Sequence, residues 1–522
     1  LVLAGIGWVV WWLKKGSVLR LPIVYHKKSN KVAALDVLLV LVMVIPLIIG
    51  FIAPPNSQEA MSFGMARVAH WAQNQSLDHF AAVNEAQNSA PPGAGISLLN
   101  FYVLSGSDRW SNFPAWFAYL GCIQAAMAIA ALFNASPAGT RLSALFASTI
   151  PIGLTLASGS LDDLPSVLWI MSYALIVFFF NKDKNMEFNL TLAAMAAGLA
   201  FITKPLTLIF ILPFMVYLVV LQFARNQKVK SFAHLLLSLV LLVTASGGFL
   251  YRNFQTYGTG YQISALTEDL NEMVSFRTTL SNFVRNAALH SDIPSARAEY
   301  WLKQNILDLH EKIDLDVNDP RTTYGGQFEI PDLNTSEMQS GNPLHLLVVI
   351  FAGLAVIVMY FFNKSEKEEI VYLMLITVSA FLFTVLLKWH PTGSRWHLAF
   401  FMLYAPIVGS VLGNLDERPK PFGTWLGVGL VVLALPWLLA VKERPIIPVE
   451  GFTYPRSILQ ASREELYFVT EPNQFGFYEA TGATLLSQPQ PQELGISVVD
   501  SFLEYPLWAL TGTLEGQTTI AV

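Results

Sequence analysis

Apolar runs, most near the 20 residues that cross a hydrocarbon core, alternate with short polar segments along most of the chain. They fall at Leu1–Leu13, Ala33–Pro54, Pro114–Asn134, Arg141–Ser158, Leu164–Phe180, Phe188–Thr203, Leu206–Phe223, Phe232–Leu250, Leu344–Phe362, Ile370–Leu387, Leu398–Leu412 and Thr424–Val441. The pattern predicts about twelve helical spans, because backbone polar groups in a bilayer must be satisfied within their own segment. Leu1–Leu13 is too short to cross alone. It reads as the remainder of a span that starts upstream, and it lacks the basic-first layout of a signal peptide. The expected fold is an all-α polytopic membrane bundle over residues 1–441, with large loops at 55–113 and 251–343. Residues 442–522 carry short apolar runs (Leu466–Thr470, Ile496–Val499, Thr518–Val522) among Pro, Gly and Gln, and predict a small α/β appendage.

Composition agrees. Of 522 residues, 53% are hydrophobic and 13% charged, against roughly a quarter charged in soluble domains. The net charge of -5 points to no nucleic-acid partner. The single cysteine, Cys122, excludes an internal disulfide or a cysteine metal cluster. Charge also sets orientation. Lys14–Asn30 and Arg225–Lys230 hold several lysines and arginines and no acid, so both are expected in the cytoplasm. Alternation then puts Lys182–Glu187, Asn363–Glu369 and Asp416–Lys420 on that side. It puts both large loops, the Gly159–Asp163 turn, Lys388–Trp396 and the C-terminal appendage outside. The expected location is the bacterial cytoplasmic (inner) membrane. The acidic run Asp314–Asp319 lacks the glycine and terminal glutamate of a calcium loop and reads as a solvated loop.

Three polar constellations share the predicted outer face. The first is Glu59, in a stretch where Met61, Met65, Val68 and Ala69 recur at helical spacing; it reads as an amphipathic helix lying at the membrane interface. The second is Gly159-Ser160-Leu161-Asp162-Asp163, whose paired carboxylates would bind a cation or perturb one another, or serve only as a polar turn. The third is basic: Lys204, and Lys388, His390, Arg395 and His397 around a Pro-x-Gly turn. Cations at bilayer depth are costly unless they meet an anion or line a wet cavity, and a lipid-linked phosphate is such an anion. Glu59, Asp162 and Asp163 are therefore the candidate catalytic acids, and Lys204, Lys388, His390, Arg395 and His397 the candidate substrate-binding residues. Glu59 and Asp162 would hold a divalent metal such as Mg or Mn, if one is used. Converging on one cavity, the acids could deprotonate an acceptor hydroxyl while the bases stabilise a phosphate leaving group, the layout of transfer from a polyprenyl-phosphate sugar.

Several stretches, in order, carry a family resemblance: Ala53-Pro54-Pro55-Asn56, Ala66-Arg67-Val68-Ala69-His70-Trp71, Leu104-Ser105-Gly106-Ser107-Asp108-Arg109, Thr203-Lys204-Pro205, Arg285-Asn286-Ala287-Ala288-Leu289-His290, Gly341-Asn342-Pro343-Leu344-His345, Gly393-Ser394-Arg395-Trp396-His397 and Glu504-Tyr505-Pro506-Leu507-Trp508. The chain resembles bacterial integral-membrane glycosyltransferases of the C-type superfamily, the class of protein mannosyltransferases and of the aminoarabinose transferase of lipid A, most of all its family-39-like members. The resemblance implies an undecaprenyl-phosphate-type donor and a lipid, glycan or protein acceptor outside the cell. It also implies departures. The family's first-loop acid is an aspartate in a Trp-Asp-x-x-x-Tyr-His-like context, whereas this chain has Gln58-Glu59, then Phe63 and Gly64. Pro91-Pro92 is followed by Gly93-Ala94-Gly95, and Ser336-Glu337-Met338 stands where a His-Glu-Asp-like run is expected. The alternative is a descendant that lost catalysis and serves as a structural subunit of a larger membrane assembly. A transporter is disfavoured by the lack of repeats and of paired broken helices.

The orientation has a direct test. Cysteines introduced into Tyr251–Pro343 should react with an impermeant reagent in intact cells; reaction only after permeabilisation would invert the scheme.

Overall fold

The computed structural model describes residues 34–521 except 83, 183–185, 225–227, 261–267, 293–294, 363–364, 414–421, 488–492, 496–502 and 512–518. The first apolar run, Lys14–Asn30 and Asp416–Lys420 lie outside the described residues. The other eleven runs all coincide with helices. In chain order the main helices are α1 (Ala34–Ile52), α2 (Met65–Asn74), α3 (Gly93–Ser105), α4 (Phe113–Leu132), α5 (Pro137–Ser148), α6 (Pro151–Ala157), α7 (Asp163–Lys182), α8 (Met186–Thr203), α9 (Thr207–Ala224) and α10 (Lys228–Tyr257). They continue with α11 (Phe276–Ala288), α12 (Ala296–Lys312), α13 (Pro343–Phe361), α14 (Lys367–Leu386), α15 (Leu398–Leu412), α16 (Phe422–Leu439), α17 (Phe475–Ser487) and α18 (Tyr505–Leu510).

Among the described residues eight helices are long and apolar enough to cross a membrane, and nine if the bent pair α5–α6 counts as one span. The protein is a multi-pass all-α membrane protein. The expected span at Arg141–Ser158 is broken: α5 and α6 meet at 67°. Pro151 is the cause, since a proline opens a helix readily but cannot continue one. The turn brings the end of α6 to the Gly159–Asp163 segment.

Small residues let the central helices approach. Gly409 of α15 and Gly413 at its C-terminal cap form a Gly-x-x-x-Gly pair facing Gly139 of α5. A Cβ on Gly409 would stand 2.5 Å from the Gly139 carbonyl oxygen and 2.7 Å from Ser143 Cβ. Where helices end, asparagines satisfy the orphan carbonyls. Asn112 Nδ2 donates to the carbonyls of Gly50, in the last turn of α1, and of Ala53 just beyond it. Asn271 and Asn282 donate to the Thr384 and Leu387 carbonyls at the end of α14.

The long loops and the chain's end gather at one end of the bundle. Arg444, fully buried just beyond α16, donates to Glu337, to Asn56 Oδ1 and to the Thr155 carbonyl, so it joins four distant segments. The expected interfacial helix needs correction. Met61, Met65, Val68 and Ala69 do share a face, but that face packs on Tyr467, Phe468, Tyr478, Leu503, Tyr505 and Trp508 rather than on lipid. None of the four is more than 2% exposed. The C-terminal residues also supply the only strands among the described residues, a parallel pair β1 (Glu493–Gly495) and β2 (Thr519–Ala521). In the second loop, the Asp314–Asp319 run closes tight turns: Asp316 accepts from the Asn318 N–H and Asp319 pairs with Arg321.

Gly409→Val should lower stability by about 1–3 kcal/mol through overpacking of the α5–α15 crossing, read as a lower thermal midpoint in detergent. An unchanged midpoint would show that the helices do not touch there.

Candidate active site: an ion chain at one end of the bundle

Five side chains from four separate segments form one alternating chain of charge. Asp162 and Asp163 stand at the start of α7, just after the bent pair. Lys204 occupies the break between α8 and α9, where Pro205 ends α8. Its Nζ donates to Asp162 Oδ1 at 2.9 Å and to Asp163 Oδ1 at 2.8 Å. Arg395 lies on the single 3-10 turn Gly393–Arg395 that leads into α15. Its Nε and Nη2 donate to Asp163 Oδ2 at 2.9 and 2.7 Å. Its Nη1 and Nη2 reach Glu59 Oε1 and Oε2 at 2.8 and 3.1 Å. The order is Asp162, Lys204, Asp163, Arg395, Glu59.

The members differ in access. The Asp163 and Arg395 side chains are 3% and 5% exposed, whereas Glu59 is 38% exposed. Isolated charges as buried as the first two would be very costly, and the chain exists because each meets an opposite charge with direct hydrogen bonds. Burial works against the Glu59 charge, but the Arg395 guanidinium outweighs it and holds the carboxyl below its usual range. Burial likewise opposes the Lys204 charge, and the two aspartates more than compensate, raising its pKa.

The approach of Glu59, Asp163 and Arg395 expected from sequence is thus present, as direct contact. Three other candidates sit differently. Lys388 is engaged with Glu272 at 2.7 Å, apart from the chain. His390 stacks on Tyr324 and accepts from the Thr392 backbone; burial and the field of Arg395 lower its pKa to about 4, so it is neutral. The Nδ1 of His397 shares a hydrogen bond with His290 Nε2 at 2.9 Å, and the ring packs on Phe383 and Phe400, so it turns toward His290 rather than toward the ion chain. For the expected metal pair, Glu59 is held by Arg395 and Asp162 by Lys204. Among the described residues no three His, Cys, Asp or Glu side chains converge as ligands. Both carboxylates of that pair therefore already face a cation.

Other residues support the site without any local sequence signal. Met338 Sδ, in the Ser336-Glu337-Met338 segment, touches Arg395 Nη1 at 3.2 Å. The segment after Glu59 is a π-turn, Ala60–Gly64. Gln87 donates to the Ser62 carbonyl within it and to Glu504, which also meets His70 at 2.7 Å. The chain's end therefore braces the loop that carries Glu59. Arg67 is buried over Trp71 and donates to the Ala90 and Pro91 carbonyls, so it fixes the turn leading to α3. A groove of about 360 Å³, lined by Phe101, Phe117, Pro165, Leu168, Trp169 and Thr203, runs between α3, α4, α7 and α8 up to the neighbours of Asp163 and Lys204.

Asp163→Asn should cost about 3–5 kcal/mol, because it leaves two cations partly uncompensated in the interior. Glu59→Gln, at the exposed end, should cost about 1 kcal/mol or less. Thermal midpoints of the two purified variants check the order; equal losses would contradict it.

Residues 89–248 match a family model described as dolichyl-phosphate-mannose-protein mannosyltransferase. No curated protein matches the sequence. Among solved structures, ArnT from Cupriavidus metallidurans in the apo state aligns with a TM-score of 0.50 at 12% identity, covering 94% of this chain and 90% of that one. The same protein bound to undecaprenyl phosphate aligns with a TM-score of 0.49 at 11% identity over the same shares. At such identity the likeness concerns the fold. The chain has the C-type glycosyltransferase fold, and residues 89–248 are the part of it that matches the protein-mannosyltransferase model.

Proposed function

We propose that the protein transfers a sugar from a polyprenyl-phosphate donor to an acceptor outside the cell, from the bacterial cytoplasmic membrane, with its long loops and C-terminal residues on the outer face. The observation that carries this is the ion chain itself. A buried arginine fork and a lysine meet three carboxylates beside an apolar groove, and the family model that matches residues 89–248 names a phosphate-linked polyprenol. An isoprenoid tail suits the groove, and its phosphate would reach Arg395 and Lys204.

In the reaction the acceptor oxygen attacks the anomeric carbon. The bond from that carbon to the phosphate oxygen breaks, and its electron pair leaves with the polyprenyl phosphate. The proton of the acceptor hydroxyl passes to Glu59, the most accessible of the chain's three well-placed carboxylates. Arg395 and Lys204 stabilise the charge that gathers on the leaving phosphate, an effect strengthened by their burial. His390, neutral beside them, adds no competing charge.

A second reading has its own observation. Every cation of the chain already holds a carboxylate, as expected of an ionic staple in a structural subunit that no longer turns over substrate. The transfer assay separates the two. With a labelled sugar on a polyprenyl-phosphate donor, Glu59→Gln should reduce transfer about 10²–10⁴-fold, the usual worth of a general base, while the fold persists. A Glu59→Gln protein that fully restores a surface glycan in a deletion strain, or a wild-type chain that shows no transfer and copurifies stoichiometrically with an unrelated membrane complex, would favour the structural reading.

A further inference from the structure

Arg395 uses its guanidinium twice, and the two uses are unequal. Its Nε and Nη2 lie on one oxygen of Asp163, whose side chain is 3% exposed and which also holds Lys204. Its two terminal nitrogens grip both oxygens of Glu59 side by side. The second contact is the fork geometry that guanidinium offers to carboxylate and phosphate alike. Asp163 cannot leave without taking a partner from both Arg395 and Lys204. Glu59 can: its carboxylate is 38% exposed, and Arg395 is the partner its hydrogen bonds show.

We propose that Glu59 occupies the place of the donor phosphate on the outer edge of Arg395 and is displaced when the donor binds. The proposal rests on the reading that the chain takes a polyprenyl-phosphate donor.

Charge supports the exchange. The ion chain contains three acids and two bases, so it carries one net negative charge. A polyprenyl-phosphate sugar is a phosphodiester with a single negative charge. Replacing one monoanion by another on Arg395 leaves the buried part of the chain as compensated as before, and no cation is ever stranded.

Local structure supports it too. Glu59 immediately precedes the π-turn Ala60–Gly64, a widened turn of a kind that often marks functional sites. Gly64 adds no bulk, since a Cβ there would meet only the Glu59 carbonyl oxygen, at 3.7 Å. Beside Glu59 lies a cavity of about 50 Å³ whose lining includes Phe63, Gly64, Gly95 and Ser160. That space is large enough to receive a carboxylate released from Arg395. Displacement also orders the reaction. While Glu59 is clamped, both of its oxygens point at a guanidinium. Once the phosphate takes that edge, the carboxylate is free to meet an acceptor hydroxyl, so donor binding comes first.

The test is binding, not turnover. Full-length protein in lipid nanodiscs is titrated with undecaprenyl phosphate, and with the uncharged polyprenol as a control for the tail. Without an internal anion to displace, Glu59→Gln and Glu59→Ala should bind the phosphate about two- to fivefold tighter than wild type, the worth of one half-exposed ion pair. Binding of the polyprenol should be unchanged. Phosphate binding that is equal or weaker in both variants, with wild type still binding, would overturn the placeholder and leave the donor reading standing. Equal tightening for phosphate and polyprenol would also overturn it, by tracing the gain to a loosened loop. If neither wild type nor the folded variants bind undecaprenyl phosphate, the donor reading fails together with the placeholder.

Discussion

A buried guanidinium with a carboxylate on each side organises this protein. Arg395 cannot sit at the head of α15 unless Asp163 comes to it from α7, and Asp163 cannot be buried without both Arg395 and Lys204. That mutual requirement fixes where α7, the α8–α9 break and α15 meet. It also goes with the bent arrangement of α5 and α6, which delivers the acidic turn to the bundle's end. An apolar core of the same shape would not discriminate so sharply between registers, because hydrophobic contact is non-directional.

The rest of that end of the molecule repeats the principle with neutral and charged groups. Arg444 gathers Asn56, Thr155 and Glu337. Glu504 gathers His70 and Gln87, and through Gln87 it reaches the π-turn next to Glu59. These knots join loop to loop and loop to tail, where no bilayer supplies packing. The helices below them use close approach instead, at Gly139 against Gly409 and Gly413. Within the site Glu59, 38% exposed, is the most accessible charge. Such asymmetry within one ion chain is what a binding site needs: a fixed cation, and an anion that can leave.

Small and uncharged residues line the two loops where they meet the ion chain. Met338 lies against Arg395 and adds a polarisable but uncharged neighbour. Gly64 leaves room beside Glu59, and Gly95 packs directly against Arg67, where a Cβ would stand 2.9 Å from Nη2.

The order of the apolar helices was legible in the chain, because a bilayer demands long apolar helices and few other segments can mimic them, but the break inside Arg141–Ser158 was not. Leu398–Leu412 appears at the same boundaries in sequence pattern and in structure. Glu59, Asp162, Asp163, Lys204 and Arg395 were also legible as charges at span ends, since charge at that depth is costly wherever it occurs. Which of them touch was decided only by tertiary structure. Nothing local distinguishes Arg395, in the site, from Lys388, seven residues earlier and paired to Glu272, or from His397, turned toward His290. The face of the first-loop helix shows the same limit: periodicity marks Met61, Met65, Val68 and Ala69 as an apolar stripe, but lipid and the aromatic side chains of a distant C-terminal segment satisfy such a stripe equally well. Periodicity reports that a surface must be covered; the fold alone decides by what.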